Sequence, residues 1–468
     1  MTAKAPSRTL TQLAEAVRTG RRTARQLVEL SLAGISEHQE LNAVVALRAE
    51  EALADADAVD RAIASNIMLG PLAGIPFLGK DNDDVKGLAT THGSRWFADA
   101  PPAEQDGAAV GRLRAAGAIP LGKSNVPEFC IEGFTDNLVF GPTRNPWNLD
   151  RSPGGSSGGS AAALSAGLVP IATATDGAGS SRIPAAFTGL LGFKPTTGVI
   201  GRRRAPEWIE FSTDGLMANC MDDLRTLLSV VAGPVDGDPA APPHSLYPSR
   251  PPSRLIIAER TDDFGPLPQD VSSAFERAVV QLVDMLRIPT ERRDPDSFFP
   301  GYSPDEDWFT IAAAEHASLY GRERIERDLA QLYPSTQEFL TGGLAISAED
   351  YLAARRRRYS AVARLDDILA DDAALVTPVV AVSGYGVDGR IGGGEAGLLG
   401  PEVYSTAVQN VANLPAISLP AGLTDEGIPF GIQVSMRRWT DLALLDLASR
   451  WEVRYPWPQH APGYTPFV

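Results

Sequence analysis

The sequence predicts an α/β protein built around a buried sheet. Short apolar runs that read as strands alternate with helical stretches along most of the chain. Of the 468 residues, 44% are apolar and 21% charged, which is enough to bury a large core in an ordinary globular protein. No run of about twenty apolar residues is present to span a bilayer, so the apolar segments belong to a protein interior.

The chain opens with helices, and residues 1–70 read as an N-terminal helical region. Thr9 with Gln12 and Thr23 with Gln26 form capping-box patterns. Leu10, Leu13, Ala14 and Val17 keep helical spacing, as do Leu27, Val28 and Leu30. Residues 43–64, alanine-rich and charged, suit one long surface helix. After Gly70, "PLAGIPFLGKDNDD" reads as a strand entering a loop, and "AVGRLRAAGAIPLGKSN" (109–125) as helix then strand. "ALSAGLVPIATATDGAGSSRIPA" reads as helix, short strand and glycine-rich turn. Residues 233–252, rich in Pro, Asp and Gly, read as a surface excursion. "RLIIAE" and the amphipathic stretch 271–286 restart the strand–helix rhythm. Residues 289–343 are aromatic and less regular and read as an insertion facing substrate. "DAALVTPVV" and "LPAISLPAG" are further buried strands.

The net charge of −16 argues against nucleic acid or an anionic membrane as partner. The basic run Arg355 to Arg358 is the exception, and its helical setting reads as a solvated face. Two cysteines, Cys130 and Cys220, are too few for a disulfide framework or a cysteine metal site. With no apolar signal core in "MTAKAPSRTL", the expected location is cytoplasmic.

"DRSPGGSSGGSAAA" (150–163) concentrates glycines and hydroxyls ahead of alanines. A flexible linker would not run directly into helical sequence. A phosphate loop would carry Gly-Lys-Ser/Thr after a strand, and no lysine follows these glycines. Gly154 to Gly158 satisfies the G-x-S-x-G elbow pattern, but a proline-containing loop precedes it where that motif needs a strand. The five histidines, His38, His92, His244, His316 and His460, lie in no recognisable triad context.

A second segment, Asp176-Gly-Ala-Gly-Ser180-Ser-Arg-Ile-Pro184, sets Ser180 24 residues after Ser156. Small consecutive residues leave backbone N–H groups unobstructed, as an anion-binding nest requires. A nest beside a serine is what acyl transfer needs: a nucleophile, and donors aimed where the oxyanion develops. With no suitable histidine, a lysine is the remaining general base. Lys80 closes an apolar run, where burial favours the neutral amine that can accept a proton. The segment alone fits equally a surface lysine among carboxylates.

These residues resemble the amidase signature family, whose members use a Ser–cis-Ser–Lys triad. The resemblance is carried in order by "LAGIPFLGKDNDD", "GAIPLGKSNVPEF", "FGPTRNPWNLDRSPGGSSGGSAAA", "DGAGSSRIPAAFTGLLGFKPTTG", "GLMANCMDDLRTLLSVVAG" and "NLPAISLPAGLTDEGIPFGIQV". It runs from about residue 72 to 434 and is least specific between about 235 and 370. It implies one large α/β domain over 1–468, with a twisted mixed sheet covered by helices, and a variable, substrate-facing region at 235–370. It makes Ser180 the nucleophile, Ser156 the bridging serine behind a cis peptide from Gly155, and Lys80 the base. Ser156 is preferred over Ser157 because the family separates its catalytic serines by this spacing. The N–H groups of Gly177, Ala178, Gly179 and Ser180 would form the oxyanion hole, with Asp176 and Arg182 supporting the loop.

Two departures stand out. The family commonly has Thr-Gly-Gly-Ser-Ile/Val-Arg where this chain has Gly-Ala-Gly-Ser-Ser-Arg. Ala178 restricts positive φ in the turn, and Ser181 adds a third hydroxyl. The implied reaction is amide hydrolysis through an acyl-enzyme, extending to aryl esters or carbamates, with no metal or organic cofactor. Phe134 and Cys130 are candidate substrate contacts, with Phe129 and the aromatics near Trp308 beside them. The expected partner is a small-molecule amide, ester or carbamate, acted on by a monomer or homodimer. The alternatives are the glutaminase subunit of a tRNA-dependent amidotransferase, which typically has glutamine where this chain has Ile183, and a catalytically silent binding protein.

Overall fold

A computed structural model describes residues 8–242, 246–261, 265–391, 405–464 and 467. His244 lies outside the described residues. Two mixed sheets organise the chain. The first contains β1 (Val44–Leu47), β2 (Pro76–Lys80), β3 (Ile119–Ser124) and β4 (Ile171–Ala172) in the order β1-β3-β2-β4. Here β2 runs parallel to both β3 and β4, and β1 is antiparallel to β3.

The second sheet contains β5 (Ala174–Asp176), β6 (Leu191–Lys194), β7 (Thr213–Ala218), β8 (Arg254–Ile257), β9 (Thr290–Arg292), β10 (Ala373–Pro378), β11 (Ala416–Leu423) and β12 (Pro429–Ser435). Its order is β5-β7-β6-β11-β12-β10-β8-β9, antiparallel from β5 to β10 and parallel from there to β9. Only Thr173 separates β4 from β5, so the chain steps there from one sheet to the other. That seam positions the site, since Lys80 ends β2 and Asp176 ends β5.

Both expected capping boxes form, at Thr9 and at Thr23. The alanines after the glycine–serine run form the helix Gly158–Ser165, buried at every residue and packed against β2, β3 and β4 of the first sheet. Side chains there must be small: a Cβ on Gly159 would sit 2.3 Å from the backbone nitrogen of Asn125.

Three readings of the sequence need correction. Residues 43–64 are not one helix. Val44–Leu47 is β1, and the helix begins at Ala49; the β-branched Val44 and Val45 suit a sheet edge, and their alanine neighbours disguised it. Residues 289–343 are mostly regular helix: Pro304–Tyr320, Arg322–Asp328 and Pro334–Ala345. The first of these buries residues on several faces, among them Asp307, Ile311, Ala312 and His316, so it shows no clean apolar stripe. The basic run on the helix Ala348–Leu369 is a solvated face only in part: Arg356 and Arg357 are exposed, whereas Arg355 and Arg358 turn inward. Arg358 is buried, donates to Val411 O and Glu210, and stacks 5.0 Å over the Phe211 ring. Arg355 also bonds Glu210, and Arg357 pairs with Asp307. Charge alone could not reveal partners so distant in sequence.

Candidate active site

Lys80 is fully buried at the end of β2. Its Nζ donates to Ser156 Oγ and to Thr175 Oγ1, both at 2.7 Å. No carboxylate pairs with it among the described residues. Lys123, opposite Gly79 on the adjacent strand, instead pairs with Asp81 at 3.3 Å. The backbone fixes Lys80 as well, because its N–H donates to Thr173 Oγ1 at 2.8 Å and that hydroxyl donates to Asp83 at 2.6 Å.

Ser156 follows a cis peptide bond from Gly155. Only glycine fits at 155, where a Cβ would lie 2.5 Å from Phe134 O and 2.8 Å from Glu132 O. The Ser157 N–H donates to Ser180 O at 3.3 Å, which ties the two serine turns together. Ser156 and Ser180 line one narrow cleft with Asn82, Phe129, Cys130, Thr175, Gly177, Arg202, Glu207, Trp208 and Ser212. The structure therefore brings together Lys80, Ser156 and Ser180. The Lys80–Ser156 link is a formed hydrogen bond, whereas Ser180 Oγ faces the cleft with no side-chain bond among the described residues.

The turn carrying Ser180 is held from three sides. Asp176 accepts from the Gly179 N–H at 2.8 Å, from Ser181 Oγ at 2.7 Å, and from Arg182 at 2.7 and 2.9 Å. Arg182 is buried and also donates to Thr406 O and Asn410 Oδ1. Burial alone would raise the Asp176 carboxyl, but Arg182 overcomes it and holds the group far below the usual carboxylate range. Trp308 donates its indole N–H to Gly177 O at 3.0 Å, and Thr406 Oγ1 donates to Ala178 O.

These bonds change the expected donor set. The Gly179 N–H, expected in the oxyanion hole, is already committed to Asp176. The N–H groups of Gly177, Ala178 and Ser180 donate to nothing among the described residues. In a trans peptide N–H and C=O point in opposite directions, so Trp308, holding Gly177 O, turns the Ala178 N–H the other way. The departure at Ala178 is harmless: the positive φ of this turn, 123°, belongs to Gly179. Ser181 is a structural hydroxyl on Asp176.

Of the two candidate substrate contacts, Cys130 lines the cleft, and burial pushes its thiol up. Phe129 and Cys130 both hold left-handed backbone, at φ 52° and 60°, an arrangement that clusters at functional sites. Phe134 does not line the cleft. It packs with Ile183, Phe187 and Tyr385 in an apolar cluster, and its carbonyl backs Gly155. Thr175 was legible from the period-2 alternation of "TATD", which puts it on the same face as Thr173. Glu207 and Trp208 lie in an aperiodic loop and carried no such signal.

Beyond Arg202 and Ser212, which line both spaces, lies a larger cavity of about 580 Å³. Its walls include Ile200, Arg203, Ile209, Tyr359 and Val362.

His316 serves the wall of the cleft and not the serines. It is buried, and its Nδ1 accepts from the Trp208 indole at 3.0 Å. Burial pushes it down to about 4 from an ordinary value of 6.5. As pH falls through that window the unfolded chain takes up the proton first, so the site is expected to lose about 3 kcal/mol of stability. Asp83 and Asp223, raised by burial to about 6, act in the opposite sense. The comparison is therefore wild type against His316→Asn, which keeps an acceptor for Trp208. Urea unfolding at pH 7 and pH 4.5 is expected to show a shallower acid loss in the variant.

The fold and this cleft define a hydrolase of the amidase signature type, an amidase acting on carbon–nitrogen bonds. The chain belongs to the Amidase family, whose sequence profile matches residues 26–445. It is 35% identical over 466 residues to the amidase-named protein AmiB2 of Mycobacterium tuberculosis (strain ATCC 25618 / H37Rv), covering 95% of each chain. It is 34% identical over 430 residues to a glutamyl-tRNA(Gln) amidotransferase subunit of Treponema pallidum (strain Nichols), covering 82% of each. The structure of a bacterial aryl acylamidase of the amidase signature family superposes with a TM-score of 0.86 at 26% identity, covering 96% of each chain. Among the described residues no helix is long and apolar enough to cross a membrane.

Proposed function

We propose that the protein hydrolyses small carboxylic amides through an acyl-enzyme on Ser180. The observation that carries this reading is the 2.7 Å bond from Lys80 Nζ to Ser156 Oγ in a cleft whose wall also holds Ser180. As general base, the Lys80 amine takes the Ser156 proton while Ser156 takes that of Ser180, and Ser180 Oγ attacks the substrate carbonyl. The oxyanion rests on the N–H groups of Gly177, Ala178 and Ser180. The proton returns by the same route to the leaving nitrogen as the C–N bond breaks. Water, deprotonated along that route, then attacks the acyl-enzyme, and the carboxylic acid leaves as Ser180 regains its proton.

The region 235–370 shapes the substrate site in this reading, through Trp308 on the helix Pro304–Tyr320. The scissile bond occupies the narrow cleft and the rest of the substrate extends past Arg202 and Ser212 into the larger cavity. Aryl esters and carbamates present the same carbonyl and are expected as slower or alternative substrates. Ile183, where the amidotransferase glutaminase typically has glutamine, is buried in an apolar cluster, which favours a free-standing amidase over a glutaminase subunit.

A panel of para-nitroanilides, aryl esters and aryl carbamates, with glutamine included, tests this. Turnover of at least one anilide, abolished in Ser180→Ala, is the expected result. Glutamine as the best substrate, or anilide turnover that survives Ser180→Ala, contradicts it.

A further inference from the structure

We propose that Glu207 sets the specificity of the cleft, selecting amides that carry an ammonium or similar cationic N–H donor close to the scissile carbonyl. The inference rests on the reading of Ser180 as nucleophile. Glu207 lines the same wall as Ser156 and Ser180, and its side chain is 28% exposed. No side chain among the described residues hydrogen-bonds to its carboxylate. The His92 ring faces it, with Nδ1 3.7 Å away, beyond hydrogen-bond distance. A carboxylate so placed keeps its lone pairs for a donor that enters the cleft.

The other groups on that wall point the same way. Arg202, the cation in the lining, is occupied by Asp214 through two bonds of 3.2 Å. Asn82 donates to Thr175 Oγ1 at 3.2 Å, and its buried Oδ1 has no partner, which adds a second acceptor. Phe129 and Trp208 supply aromatic surface beside the carboxylate. Ring faces next to a carboxylate are a favourable setting for an ammonium, because the quadrupole and the charge act together. Burial would raise the Glu207 carboxyl, but the His92 ring and its own backbone N–H outweigh it and hold the group below its ordinary value. Apart from the oxyanion donors, the free hydrogen-bonding capacity named here is acceptor capacity, which suits a donor substrate.

Two serine-directed sulfonyl fluorides test this whatever the natural amide is. One is 4-(2-aminoethyl)benzenesulfonyl fluoride, which carries an ammonium; the other is the neutral phenylmethanesulfonyl fluoride. Label on Ser180 is followed by mass spectrometry, and each rate is divided by the probe's own hydrolysis rate. Glu207→Gln is expected to lower the cationic-to-neutral ratio by about tenfold or more, the effect of losing one charge-assisted bond. Glu207→Lys is expected to lower it further. A ratio within about twofold of wild type in both variants, including equal losses with both probes, overturns the proposal, since a merely structural role moves both rates together. If wild type takes neither label on Ser180, the nucleophile assignment itself fails and this inference falls with it.

Discussion

Lys80→Met is expected to lower amide hydrolysis by about four orders of magnitude or more, the scale seen when the base of a serine triad is removed. Methionine keeps an unbranched side chain, one atom shorter, and loses the proton acceptor. The fold should survive, because Nζ donates to two hydroxyls, Ser156 Oγ and Thr175 Oγ1, and among the described residues it leaves no carboxylate unpaired. The loss should fall on kcat more than on KM, since Lys80 acts through Ser156 and lies behind the cleft wall. Steady-state kinetics on the best anilide, with a urea midpoint for each protein, checks both halves. A variant that retains a tenth of wild-type kcat would require a different base.

Arg182→Met is expected to have the largest effect on stability, about 3–5 kcal/mol, because it leaves the Asp176 carboxylate buried without its cation. Both side chains are inaccessible to solvent and joined by two bonds, at 2.7 and 2.9 Å. Activity should fall too: the same carboxylate holds the Gly179 N–H and Ser181, which frame the turn presenting Ser180. Adding Asp176→Asn should recover much of the stability, since the unpaired charge is then gone, while activity stays low. Urea unfolding of the two single variants and the double variant measures this coupling. Additive losses in the double variant would contradict the ion-pair explanation.

The sequence carried the site further than it carried the fold. Lys80, Ser156, Ser180, Asp176 and Arg182 each sit in a short segment whose residue types constrain the chemistry, and the structure gathers all five. Gly155 was legible as the residue ahead of the cis peptide; that Gly179 carries the positive φ of its turn, and which N–H groups this frees, was not. The Gly179 N–H reads in sequence as a donor to substrate, and only the fold shows Asp176 occupying it. Phe134 misleads because an aromatic beside a serine loop can face either the cleft or the core. Asn410 and Thr406 reach the site from far along the chain, so no local pattern marks them, and Trp308, read in sequence as a pocket aromatic, proves to be a donor to Gly177 O. The helix Pro304–Tyr320 is hidden for a different reason: an element buried on several faces has no hydrophobic stripe to read.

The central claim is that Ser180 is a nucleophile activated through Ser156 by Lys80. Peptide mapping after treatment with a fluorophosphonate tests it most directly. Label on the Ser180 peptide in wild type, formed at least about a hundredfold more slowly in Lys80→Met, is the expected result. Label confined to Ser156, or label on Ser180 at an undiminished rate in Lys80→Met, would contradict it.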